Sequence, residues 1–346
     1  MATNNESIIL EFLSAQRGCT SKEIYELLSD SISYSTTKRI LNKLVLQNLL
    51  TIDGKGKGTR YAVSPAFELL KVLDIEKYFE KEIDERQIKH SFNIEIIAEV
   101  LNKHSLFTKA EIDKLDTLQK IYESNISQLS RTEYLKELER LAIDLSWKSS
   151  QIEGNTYSLL ETERLLKDKE TASGKTKEEA IMLLNHKEAI DFIIKHPDYL
   201  NPLSVSKIED IHSLLVKDLA IDRNLRKSRV GISGTNYKPL ENEFQISEAL
   251  SMMCELVNSK SSVFEKALLS LVLLSYIQPF VDGNKRTARI VSNAILINYN
   301  YCPISFRTVD SIMYKKAMLV FYEQNNISSF KNIFINQFEF AVNTYF

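Results

Sequence analysis

The sequence predicts a mainly α protein, on three observations. Long segments such as Tyr134–Trp147 and Glu178–Ile194 repeat apolar residues at three-and-four spacing, the mark of a helix that turns one face to a core. Only 9 glycines and 6 prolines punctuate the 346 residues, so breaks between helices are few. Hydrophobic residues make up 44% of the chain, enough for a sizeable core, and the length suits two or three domains of about 100–200 residues each. The glycines cluster where special backbone is needed: at 54, 56 and 58, at 154, at 231 and 234, and at 283, whereas Gly18 and Gly174 read as ordinary loop positions.

Residues 1–66 read as three short helices and a hairpin. Ile8, Ile9, Phe12 and Leu13 form an apolar face, and Thr20 with Glu23 makes a capping box that starts the second helix. A third helix runs from about Ser35 to Gln47, with Ile40, Leu41, Leu44 and Val45 inward and Lys38, Arg39 and Lys43 outward. Strands follow at Leu49–Ile52 and Thr59–Val63, joined by the flexible basic loop Asp53–Gly58. This order resembles a winged helix-turn-helix. Between Ser35 and Arg60 lie six basic residues (Lys38, Arg39, Lys43, Lys55, Lys57 and Arg60) against one acid, Asp53. The patch suits a phosphate backbone of double-stranded DNA; the alternatives are a protein partner or a homodimer, with the lysines a solvated face. The net charge of −2 offers no long-range steering, so attraction to nucleic acid must be local. Residues 67–130 are charged, helical and without chemistry, a connector.

Residues 131–346 carry the chemistry. The run Gln278-Pro279-Phe280-Val281-Asp282-Gly283-Asn284-Lys285-Arg286-Thr287-Ala288-Arg289 lies between apolar helices at Ala267–Tyr276 and Thr287–Asn298. Gly283 lets backbone approach an anion, the following helix presents free N–H groups, and Arg286 and Arg289 add charge on one face. Such a loop suits a polyphosphate. Asp282 is a hard oxygen ligand for a magnesium ion that keeps most of its waters, and Phe280 can anchor the loop to the core.

These twelve residues resemble the signature of the Fic family (Fic/Doc, or Fido), His-Pro-Phe-x-Asp/Glu-Gly-Asn-Gly/Lys-Arg-x-x-Arg, at every defining position but the first. The resemblance implies a helical Fic bundle, ATP and magnesium, and AMP transfer to a Ser, Thr or Tyr hydroxyl of a protein substrate. It implies Asp282 on magnesium, Asn284 and the amides of Gly283 and Lys285 on the α and β phosphates, Arg286 on the β and Arg289 on the γ phosphate. Gln278 stands where the family's histidine accepts the proton of the attacking hydroxyl. An amide cannot do so near neutral pH, so general-base help of typically about 10²- to 10⁴-fold should be missing while nucleotide binding survives. No other histidine substitutes: His186 and His212 sit in helical apolar patterns that suit satisfied structural residues.

Ser149-x-x-x-Glu153-Gly154, at the end of a helix expected over 134–155, resembles the family's inhibitory pattern. The resemblance implies that Glu153 pairs with Arg289; a guanidinium bonded to a carboxylate cannot also grip a γ phosphate. A second capping box, Ser158 with Glu161, opens the next helix. Arg226–Pro239 alternates apolar residues around Gly234-Thr235-Asn236 and reads as a small β-hairpin flap, its free edge able to take a target strand; Val230, Ile232, Gly234 and Tyr237 resemble the family's flap. Gly174-Lys175-Thr176 is no phosphate loop, because Lys169 stands where that motif needs its first glycine.

Two other readings follow from the same residues. Lys285 is similar to the Doc branch, a protein kinase, though Gly283 and Arg289 argue against it; or the domain is a catalytically silent nucleotide sensor behind a DNA-binding regulator. Met1–Glu6 lacks a charged-then-apolar leader, and the apolar stretch Ala267–Ile277 falls short of the roughly 20 residues a membrane span needs. With Cys19, Cys254 and Cys302 scattered, a soluble cytoplasmic protein with no membrane association is expected.

Overall fold

The computed structural model describes residues 4–16 and 18–346, the side chains of Asn4 and Lys57 excepted; the leader reading at residues 1–3 and the DNA reading at Lys57 lie outside what is described. Among the described residues no helix is long and apolar enough to cross a membrane.

The N-terminal unit is α1 (Asn4–Ser14), β1 (Cys19–Thr20), α2 (Ser21–Leu28), α3 (Tyr34–Leu46), β2 (Leu50–Asp53) and β3 (Arg60–Val63). The Thr20–Glu23 capping box opens α2, and Ile9, Leu13, Ile24, Leu28, Leu41 and Leu44 close the core over the sheet. That sheet is antiparallel in the order β1-β3-β2, with Cys19 opposite Tyr61 and Ile52 opposite Tyr61 on its other side. At two residues, β1 is too short to show the period-two pattern by which strands are recognised, and the sequence did not reveal it. The wing tip is tighter than expected: Gly56–Gly58 form a 3₁₀ turn, and a Cβ on Gly54 (φ +80°) would meet the Gly58 carbonyl at 2.9 Å.

The connector is helical only in part. It comprises α4 (Phe67–Leu70), α5 (Ile75–Phe79), a 3₁₀ turn at Ile83–Glu85, a π-helical turn at Ile96–Leu101 and α6 (Lys109–Ser127). Between them the chain runs without regular helix, because its polar groups are engaged across the fold: Lys89 N–H donates to the Glu323 carbonyl (2.8 Å) and Asn93 N–H to the Tyr276 hydroxyl (2.9 Å). Asn326 caps the Glu68 and Lys71 carbonyls, so the start of the connector, just beyond the winged helix, is bonded to the C-terminal bundle.

The bundle comprises α7 (Arg131–Ile152), α8 (Leu159–Asp168), α9 (Lys177–Lys195), α10 (Val205–Leu215), α11 (Glu243–Ser259), α12 (Val263–Ile277), α13 (Asn284–Asn298), α14 (Ser311–Gln324) and α15 (Ser328–Tyr345). Capping boxes open α7 (Ser130/Glu133), α8 (Ser158/Glu161) and α9 (Thr176/Glu179), so α7 starts a turn before the expected boundary and the Gly174-Lys175-Thr176 run is a helix start. Every residue of α12 is buried, Glu265 and Lys266 at its first turn included, and beyond them the helix is apolar but for two serines and a tyrosine hydroxyl. It packs chiefly on α13, which fixes the two ends of the loop between them.

One expected element is absent. Residues 226–239 form no hairpin: the segment runs without strand pairing to itself and turns at Ser233–Gly234, where Gly234 has φ +86°. An isolated two-stranded hairpin is marginal, and the bonds that would zip it go to the connector instead. Lys238 N–H donates to the His90 carbonyl (2.9 Å), Lys238 forms a parallel bridge with Ser91, and Arg86 donates to the Gly234 carbonyl (2.8 Å). Val230 and Ile232 are half-buried, while Tyr237 is a buried core residue stacked on Tyr276 and Tyr322.

Candidate active site

The loop between α12 and α13 is built from both ends. Gln278 ends α12 in the left-handed region (φ 52°, ψ 59°) and Gly283 (φ 83°) caps α13. Glycine is needed at 283 twice over, since a Cβ there would also press the His212 ring at 3.3 Å. Phe280 is fully buried, and His212 lies flat on it, centroids 3.6 Å apart at 1°. The two His212 nitrogens face the Asp282 carbonyl (3.0 Å) and the Arg223 carbonyl (3.1 Å). Burial pushes this imidazole below the ordinary histidine range although both carbonyls favour its charged form. His212 is therefore structural, as its helical setting implied, and what it holds is the loop.

Asn284 is spent inside the loop. Its Oδ1 accepts from Phe280 N–H (2.8 Å), and its Nδ2 donates to the Phe280 carbonyl (2.8 Å) and to Gln278 Oε1 (3.0 Å). The Gln278 amide is thus bonded at both ends, because its Nε2 donates to the Ser275 carbonyl at 2.6 Å. A residue that sequence reasoning passed over completes the brace. Arg226, 1% exposed, donates through Nε to the Gln278 carbonyl (2.6 Å), through Nη1 to that of Ser228 (2.8 Å) and through Nη2 to that of Leu240 (2.6 Å), and its N–H reaches the Pro279 carbonyl at 3.0 Å. The only sequence signal was a basic residue opening an otherwise alternating segment.

Two arginines of α13 point the other way. Arg289 donates through Nε to Ser149 Oγ (2.8 Å), and through Nη2 to the Ser149 carbonyl (3.0 Å) and to Glu153 Oε1 (2.8 Å), with Tyr314 under its guanidinium at 5.2 Å. Glu153 caps α7 and Gly154 follows at φ +102°, which turns the chain away and leaves the carboxylate facing α13. Lys285 Nζ meets Glu153 Oε2 at 3.5 Å. Burial alone would raise the Glu153 carboxyl, but Arg289 and then Lys285 more than offset it and hold the group below its ordinary value. Arg286 pairs with Asp282 Oδ2 at 2.9 Å. Its Nε and Nη1, and Nη1 of Arg289, are buried with no hydrogen-bond partner. Open N–H groups on buried cations call for an anion.

Asp282 is the carboxylate nearest to a metal role. Its side chain is 61% exposed, and among the described residues no group of three or more His, Cys, Asp or Glu could hold a metal. One exposed carboxylate fits a magnesium ion that arrives on phosphates and keeps its waters, rather than a cage made by protein alone.

The basic patch of the N-terminal unit survives in part. Lys38, Arg39 and Lys55 are exposed, and Arg60, also exposed, donates to the Gly18 carbonyl (3.0 Å). Lys43 is exposed too, as expected, but its amine is paired with the buried Glu6 at 2.6 Å, because it lies on the side of α3 that meets α1.

Comparison with known proteins joins these features. Residues 202–296 match the Fic/DOC family and residues 2–121 the penicillinase repressor family. Among curated relatives, the protein adenylyltransferase Fic of Nematostella vectensis is 26% identical over 263 residues, 67% of this chain and 58% of that one; the Aedes aegypti protein of the same name is 27% identical over 202 residues, 55% and 38%. The chain thus spans little more than half, or less, of these relatives. Among solved structures, Fic-1 of C. elegans aligns with a TM-score of 0.60 at 20% identity, covering 68% of this chain and 72% of that one. A Fic-domain signalling protein of Bacteroides thetaiotaomicron gives 0.57 at 20%, covering 66% and 94%. Both likenesses speak to the fold.

Proposed function

The chain carries a Fic/DOC family domain and, before it, a penicillinase-repressor-type winged helix, and from this we propose that it is a Fic-type protein adenylyltransferase locked by its own Glu153 and lacking its general base. The observation that carries the reading is the buried ion pair between Glu153 and Arg289 at 2.8 Å, made by two residues 136 apart in sequence. In the transfer, a hydroxyl oxygen of the target bonds to the α phosphorus of ATP, the bond to the β-phosphate oxygen breaks, and pyrophosphate leaves. Arg286, Arg289 and the N-terminal amides of α13 hold the phosphates, and the loop's internal bonds keep them in place before the nucleotide arrives. Magnesium, met by Asp282, would neutralise charge on the departing phosphates. The hydroxyl's proton has no acceptor at 278, because the Gln278 amide is neither basic nor free.

That doubly bonded amide also favours a second reading, a silent nucleotide sensor that reports to the winged helix. One experiment separates the two. ATP labelled at the α or γ position is offered with a cell extract to the chain itself, to Gln278→His, and to Gln278→His with Glu153→Gly. We expect no transfer, little transfer and clear α-label transfer, in that order. γ-label on the target would make it a kinase, and nucleotide binding without any transfer by the double variant would favour the sensor. The cytoplasm is the proposed compartment, in keeping with three buried free cysteines.

A further inference from the structure

One buried side chain beside the arginine pair is explained neither by packing nor by the loop. His186, on α9, is fully buried, and neither of its ring nitrogens has a hydrogen-bond partner; a structural histidine there was expected to be satisfied. Its neighbour Asn185 bonds the Leu215 and Lys217 carbonyls, so the helix is pinned and the ring does not turn away to find a partner. The helices packed on α9 leave groups open as well: Arg286 Nε and Nη1, Arg289 Nη1 and the Ser292 hydroxyl on α13, and the Ser146 and Ser150 hydroxyls on α7. Buried polar groups are nearly always paired, and a concentration of exceptions marks the place of a missing ligand.

We propose that His186 is a third donor in the grip on the nucleotide's terminal phosphate and that it takes up a proton as the nucleotide enters. The inference rests on the Fic reading of the loop and deepens it. In the free protein burial, then Arg289 and Arg286, hold the imidazole well below the ordinary histidine range. Among the described residues no carboxylate offsets these two cations at the ring. Glu153 of α7 is committed to Arg289 and Lys285, Asp282 to Arg286, and His212 of α10 to the loop. Of the charged residues of α8, Glu161 is spent on the cap and Glu163, Arg164 and Lys167 on surface pairs, with Asp168 at the helix end, and Lys187 of α9 itself pairs with Glu139 and Asp191. A terminal phosphate brings more negative charge than the carboxylate it displaces and offers only acceptors. Towards it a neutral ring has one N–H and one lone pair; a proton from solvent turns the lone pair into a second donor and balances the added charge.

The test uses the full chain carrying Glu153→Gly, which leaves Arg289 free, with ¹³C-labelled histidine. The chain has only five histidines, and His186→Asn identifies the signal. At pH 7.5 we expect saturating ATP to move the His186 resonance to the charged position and AMP, which lacks the terminal phosphates, to leave it neutral. His186→Asn should weaken ATP about tenfold, the cost of one charged hydrogen bond, and leave AMP binding unchanged. ATP bound while His186 stays neutral, or bound as well by His186→Asn, overturns the proposal and leaves the Fic reading standing. No ATP binding by Glu153→Gly sinks both. Should His186→Asn not fold, substitution of the other four histidines one at a time identifies the signal by exclusion, and the ATP against AMP comparison decides.

Discussion

Arg289 has no exposure and one carboxylate, so Glu153 would serve the free protein as well as restrain it. Breaking a buried pair from one side leaves an uncompensated charge, typically about 3–5 kcal/mol. Glu153→Gly should therefore lower stability by about 3 kcal/mol, read as a fall in the denaturant midpoint. The same substitution opens Arg289 to phosphate, and a ligand that binds only the native state restores stability by mass action. Millimolar ATP should raise the melting temperature of Glu153→Gly by several degrees and that of the parent chain much less. Equal shifts in the two proteins would mean that Glu153 does not compete with nucleotide. Glu153 was legible as a candidate because its position before a glycine and the spacing from Ser149 are local features, whereas the orphaned state of His186 belongs to four packed helices and leaves no trace in the order of residues.

At the scale of elements, the turn that carries the chain from α7 into α8 is tied to α9. Glu179 Oε1 accepts from the Thr156 hydroxyl (2.6 Å) and N–H (2.7 Å), and Oε2 from Thr176 N–H (2.9 Å). The Thr156 hydroxyl first, then the Thr176 amide, lower its carboxyl to about 2. A depressed carboxyl stabilises the fold fully above its unfolded value, about 4.3, and the contribution is lost as pH falls towards the native one. Glu179→Gln should thus be less stable than the parent at pH 6, and the difference should vanish near pH 2, provided both proteins remain folded enough to melt. A second element-scale brace is Arg226. Arg226→Ala would leave the carbonyls of Gln278, Ser228 and Leu240 without their donor; at about 1–3 kcal/mol for each buried group, we expect a clear loss of stability and weaker ATP binding, and Arg226→Lys should recover part of both. The Ser158–Glu161 capping box made the helix start at 159 readable, and the glycine at 283 made the loop readable. The expected hairpin failed because its backbone partners, at Arg86 and His90, lie some 150 residues away, and alternation alone says nothing about who pairs with whom.

For the molecule as a whole, the question is how a chain of net charge −2 would find nucleic acid. Its overall field is close to nil, so DNA binding must rest on local cations of the N-terminal unit; of the described residues in the basic patch, Lys38, Arg39 and Lys55 are exposed and make no ion pair, with Arg60 partly engaged. Each contact with a phosphate releases condensed counterions and contributes about 0.9 to the slope of log affinity against log salt. Lys38→Ala, Arg39→Ala and Lys55→Ala should each lower that slope by about one for generic duplex DNA, measured by fluorescence anisotropy between 50 and 200 mM salt. Lys43→Ala is the discriminating case. Its amine is held by Glu6 on the α1 side of α3, so it should cost stability and leave the slope unchanged. If Lys43→Ala flattened the slope as much as Lys38→Ala, the winged helix would meet DNA by a different face from the one its exposed cations mark out. Because Asn326 caps the first residues beyond the wing and Arg86 holds the segment that braces the α12–α13 loop, either face would remain mechanically joined to the C-terminal bundle.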